Sequence, residues 1–260
     1  MRFATWNVNS LKARQDRVEE WLEYAQPDVL CVQETKLSDK TFPQLAFGAL
    51  GYDAVHHGPG QWNGVATLSR VGITDVSSGF GDGVLDPYQG DARLLATLCG
   101  GIKFVNVYVP NGREVPSEFY DRKLEWFECL YSFIDGCAKP SDPLVILGDF
   151  NVAPEDRDVW SPKAFVGDTH VTPPERDAVR RLQDWGLQDA FRVLYPDTDQ
   201  LFTYWDYRRG DFHQHKGMRI DLALATQPVV ERLQWGLVDR NARKGKLPSD
   251  HAPMVFDLAD

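Results

Sequence analysis

The sequence predicts a single α/β domain in which helices pack against two sets of β-strands. Short apolar runs recur along the chain, and Leu144–Leu147, with two β-branched residues, is typical of a strand buried on both faces. Segments with helical spacing lie between such runs, for example from Val18 to Ala25. No linker, repeat or low-complexity tract divides the 260 residues, so we expect one domain over 1–260.

The N-terminal part is predicted to alternate strand, helix and strand. Arg2–Val8 indicates a strand, and Ser10 is a good cap for the helix that follows it. Pro27 ends that helix. Asp28–Glu34 is predicted to be a second buried strand, tipped by a carboxylate, and a short helix is expected over Phe42–Leu50.

The chain from residue 52 to 109 is predicted to be rich in strands. Gly64–Ser69 forms one of them, while Gly100 and Gly101 separate the strands Arg93–Cys99 and Ile102–Val109 in the pattern of a tight hairpin. Ser117–Ile134 then has the spacing of an amphipathic helix. Its apolar side is expected to carry Phe119, Leu124, Phe127, Leu130 and Ile134.

The C-terminal half is predicted to add one helix and four strands after the strand at Leu144. The helix follows a proline-rich polar segment and covers residues 174–185. The strands are expected at Phe202–Trp205, Arg219–Leu224, Trp235–Val238 and Met254–Phe256.

Composition limits the class of protein. Hydrophobic residues make up 43% of the chain and aromatic residues 12%, which argues against intrinsic disorder. The sequence has no apolar run long enough for a transmembrane helix, and its first residues lack the features of a signal peptide. The four cysteines form no Cys-x-x-Cys pair, so we expect reduced thiols in the core of a cytoplasmic protein: Cys31, Cys99, Cys129 and Cys137.

The formal net charge of −10 argues against a polyanionic partner if the charge is spread evenly. Between Trp205 and Lys246, however, nine Lys or Arg residues stand against five Asp or Glu. One part of the surface is therefore expected to face phosphates while the rest repels them. An ordinary mixed surface gives the same count, so the charge pattern alone leaves both interpretations open.

Polar side chains stand at or near the ends of several apolar runs. Most carry oxygen, and one carries an imidazole: Asn7, Glu34, Tyr108, Asp149, Asn151, Asp221, Asp250 and His251. If these ends meet at one edge of the sheets, they form a pocket rich in carboxylates and carboxamides. Such ligands suit Mg²⁺ or Mn²⁺ rather than zinc, and the pocket would hold a phosphate and activate a water.

Each of these residues also has a purely structural interpretation. Glu34 fits a surface position at a strand end, and Tyr108 fits a half-buried strand. Asp221 lies between apolar neighbours and would then pair with Arg219 or His251, because a buried acid needs a partner. Taken singly, the structural interpretation is favoured for each residue, whereas the recurrence of the pattern favours one shared site.

Six motifs resemble, in order and spacing, those of the exonuclease III family, the magnesium-dependent AP (abasic-site) endonucleases of the endonuclease/exonuclease/phosphatase superfamily. They are Trp6-Asn7-Val8-Asn9-Ser10, Gln33-Glu34-Thr35-Lys36, Asn106-Val107-Tyr108-Val109-Pro110-Asn111-Gly112, Gly148-Asp149-Phe150-Asn151, Arg219-Ile220-Asp221 and Ser249-Asp250-His251-Ala252-Pro253. Residues 63–65 and 169–176 are also similar to that family. The resemblance covers Arg2 to Leu258 and implies a four-layer α/β sandwich, with two mixed sheets face to face and helices outside.

The resemblance implies a metal site and roles for its residues. Glu34 would be the principal ligand of Mg²⁺, for which Mn²⁺ can substitute. The other members of the metal site would be Asn7, Asp149, Asn151 and Asp250. Whether one or two metal ions act is left open.

For catalysis, the resemblance implies that Asp149 orients or deprotonates the attacking water, or protonates the leaving oxygen. Asn151 and Tyr108 would hold the phosphate and its developing charge. Asp221 would orient His251, as a carboxylate fixes an imidazole tautomer in other sites. Whether His251 is a base or a positively charged phosphate clamp is left open.

The resemblance also implies DNA contacts. The segment Trp205–Ile220 is similar to the family's abasic-site pocket, although ordinary core packing is an equal alternative for Trp205. The predicted DNA-binding residues are Lys36, Asn111, Arg113, Trp205, Phe212, Met218, Arg219 and Ile220, with Arg208, Arg209, Lys216, Arg243 and Lys244 as further candidates for phosphate contacts. The loop Gly58–Trp62 lacks the lysine that many relatives have, which bears on the balance between nicking and 3′→5′ digestion.

The function implied is that of a metal-dependent phosphodiesterase of base excision repair. It would cleave double-stranded DNA 5′ to abasic sites, remove 3′ blocking groups and digest 3′ ends, acting as a monomer. One alternative is a superfamily enzyme for phosphoinositides, sphingomyelin or messenger tails, which the segment Trp205–Ile220 disfavours. Another is a DNA-binding or scaffold protein without catalysis, which the complete set of catalytic positions disfavours.

Overall fold

Two β-sheets of six strands each form the centre of the fold. The computed structural model describes residues 1–81 and 84–260. Within these residues the strands are β1 (Arg2–Asn7), β2 (Val29–Gln33), β3 (Asp53–His57), β4 (Val65–Ser69), β5 (Thr74–Ser78), β6 (Leu94–Cys99), β7 (Ile102–Tyr108), β8 (Leu144–Asp149), β9 (Leu187–Asp189), β10 (Asp221–Thr226), β11 (Leu233–Val238) and β12 (Met254–Leu258). The helices are α1 (Leu11–Ala25), α2 (Gln44–Ala49), α3 (Glu118–Cys137), α4 (Pro173–Asp184), α5 (Ala190–Leu194) and α6 (Gln227–Val230).

Each sheet contains one parallel pair of strands near its centre. The first sheet has the order β11-β12-β1-β2-β4-β3, and the second has the order β5-β6-β7-β8-β10-β9. The pairs β1–β2 and β7–β8 are parallel, with Asn7 opposite Gln33 and Tyr108 opposite Asp149 at their carboxyl ends. Strand β10 is antiparallel to β8, so its first residue, Asp221, also pairs with Asp149 at this edge.

Three apolar layers hold the sheets and helices together. Between the sheets, Phe3 stacks on Phe256 with ring centroids 5.1 Å apart and lies 5.6 Å from Phe104 of the other sheet. On the outer face of the first sheet, Trp6 and its neighbours pack against α1 and α2. On the outer face of the second, Ile146 and its neighbours pack against α3 and α4. The predicted four-layer α/β sandwich is confirmed.

Most of the predicted elements are present, with small shifts at their ends. Gly100 and Gly101 have φ angles of 56° and 81° and join β6 to β7, as the hairpin pattern predicts. The sequence pattern does not reveal β5, because all residues of Thr74–Ser78 are exposed and the strand has no apolar face. It does not reveal β9 either, because three residues are too few to show a period.

Two predictions about local structure are wrong. Phe202–Trp205 is apolar because Phe202 and Trp205 pack together in a small buried cluster, not because it forms a strand. In the described chain, Tyr204 makes only isolated bridges, to Met218 and His251. At the start of α1, the Ser10 side chain makes no capping hydrogen bond within the described residues. Instead, the Ser10 backbone N–H donates a hydrogen bond to the carbonyl of Glu34 at 2.7 Å.

The buried face of α3 also differs from the prediction. Phe119 and Leu124 are only half-buried, whereas Tyr120, Lys123 and Trp126 turn inward. A lysine on a helix normally indicates the solvent side, so sequence periodicity places the face wrongly here. The lysine is tolerated inside because a carboxylate of α4 meets it, as described below.

The cysteines are all free. Cys31 and Cys99 are buried as predicted, whereas Cys129 and Cys137 are only half-buried and lie outside the buried core. Among the helices of residues 1–81 and 84–260, none has the length and apolar character needed to cross a membrane.

Candidate active site

Residues from both sheets meet at one edge of the sandwich. The carboxyl ends of β1, β2, β7 and β8 lie there beside the first residues of β10 and β12. They surround a cavity of about 140 Å³, lined by Glu34, Tyr108, Asn111, Asp149, Asn151, His170, Tyr204, Ile220, Asp250 and His251. The structure therefore brings the predicted strand-end residues into one place, with Asn7 and Asp221 directly behind the lining.

Asn7 connects carboxylates of the two sheets. Its Nδ2 donates to Glu34 Oε1 and to Asp149 Oδ2, each at 2.9 Å. On the other side of Glu34, Lys36 Nζ lies 2.9 Å from Oε2. Burial works against ionisation of Glu34, but the charge of Lys36 and these hydrogen bonds outweigh it and lower the pKa of the carboxyl. Glu34 therefore presents an ionised carboxylate at the cavity wall.

Asp149 is held in place by the pairing of β7 with β8. The preceding Gly148 has a φ of 142°, and a Cβ at this position would lie 2.0 Å from the carbonyl oxygen of Val107. Only glycine therefore permits this close approach of the two strands. One carboxylate oxygen of Asp149 accepts a hydrogen bond from the backbone N–H of Asn151 at 2.9 Å. The side chain is 2% exposed and cannot turn away from the cavity.

The surroundings of Asp149 raise its pKa to about 7. Burial is the main cause, the charge of His251 opposes it, and the carboxylates of Asp221 and Glu34 add to it. A carboxyl group that changes protonation near neutral pH suits general acid or base work.

His251 is a buried cation. Its Nδ1 donates to Asp221 Oδ2 at 2.7 Å, and its Nε2 lies 3.8 Å from Asp149 Oδ2. Burial disfavours the charge, but the carboxylate of Asp221 outweighs it and raises the pKa of the imidazole to about 10. Asp221 thus pairs with His251 and not with Arg219, which decides between the two partners that the sequence left open.

Asn151 and Asn111 form the opposite wall. Asn151 Nδ2 donates to the Val109 carbonyl at 2.9 Å, and its Oδ1 accepts from Asn111 Nδ2 at 3.1 Å. His170 Nδ1 donates to the Asn151 carbonyl at 2.6 Å, since a carbonyl can only accept. Burial and the nearby charge of Lys123 lower the pKa of His170 to about 4, so this imidazole is neutral.

Tyr108 completes the cavity from the end of β7. Burial raises the pKa of its phenol well above the usual range, and the nearby carboxylate of Glu34 adds to this effect. The guanidinium of Arg93 lies 4.8 Å from the centre of the ring. The hydroxyl therefore keeps its proton and is a hydrogen-bond donor at neutral pH.

The donor set fits a hard divalent cation. Glu34 and Asp250 line the cavity and are only partly buried, and the cavity wall holds no thiol among the residues described. Asp149, Asp221 and His251 each offer one ligand atom within 4.8 Å of the others, an arrangement that could also hold a metal ion. The bond from His251 to Asp221 and the positive charge of this imidazole argue against this group as a set of metal ligands.

A larger groove adjoins the cavity and shares His170 and Tyr204 with its wall. Its volume is about 890 Å³. Trp160, Phe165 and Met218 supply apolar surface within it. The charged residues of its lining are Arg113, Arg208, Arg209, Lys216, Glu114, Asp168, Asp206 and Asp211. The groove therefore offers both cations and apolar surface within reach of the cavity.

Several predicted DNA contacts are placed in the core. Arg219 is fully buried and its guanidinium pairs with Asp158 and Asp189, so the prediction that it binds DNA is wrong. Trp205 is also fully buried, which supports core packing over a pocket wall, and Arg243 is 6% exposed. The remaining candidates lie at the surface or line the cavity or groove: Lys36, Asn111, Arg113, Arg208, Arg209, Phe212, Lys216, Met218, Ile220 and Lys244.

Sequence reasoning missed three residues of the site, Asn9, His170 and Tyr204, and one residue that supports it, Lys123. Tyr204 lines both the cavity and the groove. Asn9 joins the site by donating from Nδ2 to Asp250 Oδ1 at 3.1 Å. His170 lines both the cavity and the groove, and the only signal for it is the motif at 169–176. Lys123 supports this wall from beneath, and no sequence signal indicates that a helical lysine reaches it.

Comparison with known proteins identifies the family. The model of the Endonuclease/Exonuclease/phosphatase family matches residues 4–251. The chain belongs to this family. Within it, Exodeoxyribonuclease III of Haemophilus influenzae is 33% identical over 98% of both chains. The resemblance carried by the six motifs is confirmed, and so is the prediction of a hydrolytic nuclease.

Solved structures of family members superimpose over the whole chain. An AP endonuclease from Archaeoglobus fulgidus has a TM-score of 0.95 and 36% identity, and each chain is fully covered. A 3′ phosphatase from Neisseria bound to a product DNA hairpin has a TM-score of 0.94 and 34% identity, again with full coverage of both chains. The strand edge that carries the cavity thus belongs to a fold shared throughout these nucleases.

Proposed function

We propose that this nuclease is a Mg²⁺-dependent enzyme of base excision repair. It cleaves double-stranded DNA 5′ to abasic sites, removes 3′-phosphates and other 3′ blocking groups, and digests 3′ ends. The observation that carries this proposal is the arrangement of Asp149, which Asn7 links to Glu34 and which faces the cation His251. The names of the relatives, an exodeoxyribonuclease, an AP endonuclease and a 3′ phosphatase, support the choice of DNA as substrate.

Glu34 and Asp250 would hold the Mg²⁺ ion, with Mn²⁺ as a substitute. Asn7 stands beside them and keeps the carboxylate of Glu34 oriented. The bound cation would supply positive charge next to the phosphate oxygens. Asp149 and Asn151, also predicted as metal residues, have other partners in this arrangement and are assigned here to the water and the phosphate.

The protein groups divide the catalytic work. Asp149 accepts the proton of the attacking water, since its pKa of about 7 allows it to be ionised at neutral pH. His251, kept protonated by Asp221, places a charged donor where negative charge develops on the phosphate. Asn151 and Tyr108 add neutral donors on the other side. The water oxygen bonds to phosphorus as the bond from phosphorus to the leaving sugar oxygen breaks. The leaving oxygen takes a proton from solvent, and the product carries a 3′-hydroxyl.

The groove would receive the DNA. An abasic nucleotide leaves the helix at a lower cost than an intact one, and the apolar surface of Trp160, Phe165 and Met218 suits a bare sugar. Arg208, Arg209 and other exposed cations would contact the backbone. We also propose a monomer of one domain that acts in the cytoplasm, in keeping with its free thiols.

The first experiment uses three labelled duplexes: one with an abasic site, one with a 3′-phosphate and one undamaged. Each is incubated with Mg²⁺, Mn²⁺ or EDTA, and with wild type, Glu34→Ala, Asp149→Asn or the surface control Arg180→Ala. We expect metal-dependent cleavage that falls about 10²–10⁴-fold in the first two variants and is unchanged in the control.

The pattern of products decides among the activities. A single nick with a 3′-hydroxyl at the abasic site supports the endonuclease, whereas a ladder from the 3′ end without that nick makes the protein chiefly an exonuclease. Absence of cleavage on all three duplexes in both Mg²⁺ and Mn²⁺ contradicts the proposal. Cleavage of a soluble phosphoinositide in that case points to the lipid-phosphatase alternative.

A further inference from the structure

Beneath the wall formed by Asn111 and Asn151 lies a buried ion pair between the two outer helices of the second sheet. Lys123 of α3 and Glu175 of α4 are both 0% exposed, and Lys123 Nζ lies 2.5 Å from Glu175 Oε1. Neither group belongs to the catalytic cavity. Removing two charges from water is costly, and apolar residues of similar volume often hold helices together at least as well.

The lysine contacts the loops that carry the active-site carboxamides. Its Nζ donates to the carbonyl of Asn151 at 2.7 Å and to the carbonyl of Asn111 at 3.2 Å. It also donates to Thr169 Oγ1 at 3.3 Å. A single ammonium group therefore joins the loop after β7, the loop after β8 and the segment before α4.

The glutamate fixes the same segment from the other side. Its Oε1 accepts from the backbone N–H of His170 at 3.0 Å and from the hydroxyl of Thr169 at 2.7 Å. Its Oε2 accepts from the N–H and the hydroxyl of Thr172, at 3.1 and 2.6 Å, which caps α4. The carboxylate is thus satisfied throughout.

The backbone at Asn151 is left-handed. Its φ is +51°, a conformation that asparagine tolerates better than most residues, and its carboxamide oxygen accepts from Asn111 Nδ2 at 3.1 Å. The carbonyl of Asn151 receives two hydrogen bonds, one from Lys123 and one from His170. Losing the ammonium would leave the loop with half of that restraint.

We propose that the Lys123–Glu175 pair is a positioning device for the active site: it sets the carboxamides of Asn111 and Asn151 at the distance a phosphate requires. The proposal rests on the proposed function for its substrate. Joining α3 to α4 is not a sufficient explanation of the pair, because Arg181 and Glu128 already form an ion pair between the same two helices at the surface. The positioning role predicts an effect on turnover that exceeds the effect on stability.

The test compares Lys123→Met, Lys123→Arg and Glu175→Gln with wild type on the abasic duplex in Mg²⁺. We expect Lys123→Met to lower kcat at least about tenfold while KM stays within about threefold, because misplaced groups lose transition-state contacts rather than substrate binding. Lys123→Arg, which retains a charged donor, should recover most of kcat. Two controls match the site: Leu130→Ala removes core packing from the same helix, and Glu128→Gln breaks the surface pair.

A second measurement is independent of cleavage. In ¹⁵N-labelled protein, Lys123→Met should shift the side-chain amide resonances of Asn111 and Asn151 and leave those of Asn63 and Asn241 unchanged. Wild type that cleaves none of the duplexes refutes the proposed function, while these resonances still test the positioning role. Unchanged resonances overturn the positioning role. So does a loss of kcat in Leu130→Ala that is as large as the loss in Lys123→Met at equal thermal stability.

Discussion

At the scale of single residues, the site concentrates carboxylates that work against one another. Asp149 is buried beside Asp221 and Glu34, and only the imidazolium of His251 and donors such as Asn7 offset their repulsion. The raised pKa of Asp149 means that ionising this carboxyl costs free energy in the folded protein that it does not cost in the unfolded chain. The group suited to catalysis is therefore a group that lowers stability.

The first prediction follows from the sign of this shift. Below about pH 4, Asp149 is protonated in both the folded and the unfolded state, so Asp149→Asn should leave the free energy of unfolding nearly unchanged. As the pH rises from about 4 to 7 the unfolded carboxyl ionises first, and wild type loses stability that the variant keeps. Above pH 7 the variant should be more stable by roughly 2–4 kcal/mol, measured by urea unfolding without divalent metal.

Adding Mg²⁺ provides the matching control. Wild type should regain stability with the metal if its carboxylates bind the ion, whereas Asp149→Asn should gain less. If Asp149→Asn were more stable than wild type by the same amount at pH 4 and at pH 8, repulsion among the carboxylates would not be the cause.

At the scale of elements, the parallel pair β7–β8 sets the position of the Asp149 carboxylate. The pair aligns Tyr108 with Asp149, and the close approach at Gly148 leaves no room for a side chain. The same edge receives Asp221 from the antiparallel β10. A change of one methyl group at Gly148 therefore acts on three strands together.

We predict that Gly148→Ala lowers the free energy of unfolding by at least about 3 kcal/mol and abolishes cleavage, since backbone must move to admit the Cβ. Thermal unfolding and the abasic-duplex assay measure both effects. Gly136→Ala in α3 is the matched control, because nothing lies within 4 Å of the added Cβ. This control should be neutral or gain up to about 1 kcal/mol. An active, stable Gly148→Ala protein would contradict the role given to the β7–β8 pair.

At the scale of the whole molecule, the charge that the sequence places between residues 205 and 246 divides into two kinds. Arg219 and Arg243 are buried and bond to protein groups. Arg208, Arg209 and Lys216 line the groove beside the cavity. Because the net charge of the chain is −10, its binding to DNA depends on a few exposed cations.

This predicts a weak salt dependence that a double substitution reduces further. If Arg208 and Arg209 each neutralise one phosphate, replacing both with alanine should reduce the magnitude of the negative slope of log K against log salt by about 1.8. Fluorescence anisotropy with an abasic duplex, in an Asp149→Asn background with EDTA to suppress the remaining cleavage, measures the slope. Arg180→Ala, an exposed arginine on α4, should leave it unchanged. An unaltered slope in the double variant would place the DNA elsewhere on the surface.

The sequence alone determined the parts of this protein that depend on local pattern. Continuous apolar residues predict buried strands such as Leu144–Asp149, and the sequence also shows the polar residues at their ends. The six motifs then carried the resemblance to the exonuclease III family, and with it the four-layer sandwich that the structure confirms.

Only the tertiary structure decided which charged residues are buried and with which residues they form ion pairs. Lys123 and Arg219 have the sequence signature of surface cations, yet both lie in the core because carboxylates from distant segments reach them: Glu175 for one, Asp158 and Asp189 for the other. The protonation of Asp149 was equally hidden, since it depends on neighbours from other strands. Burial and long-range pairing are properties of the packed chain, and no local spacing encodes them.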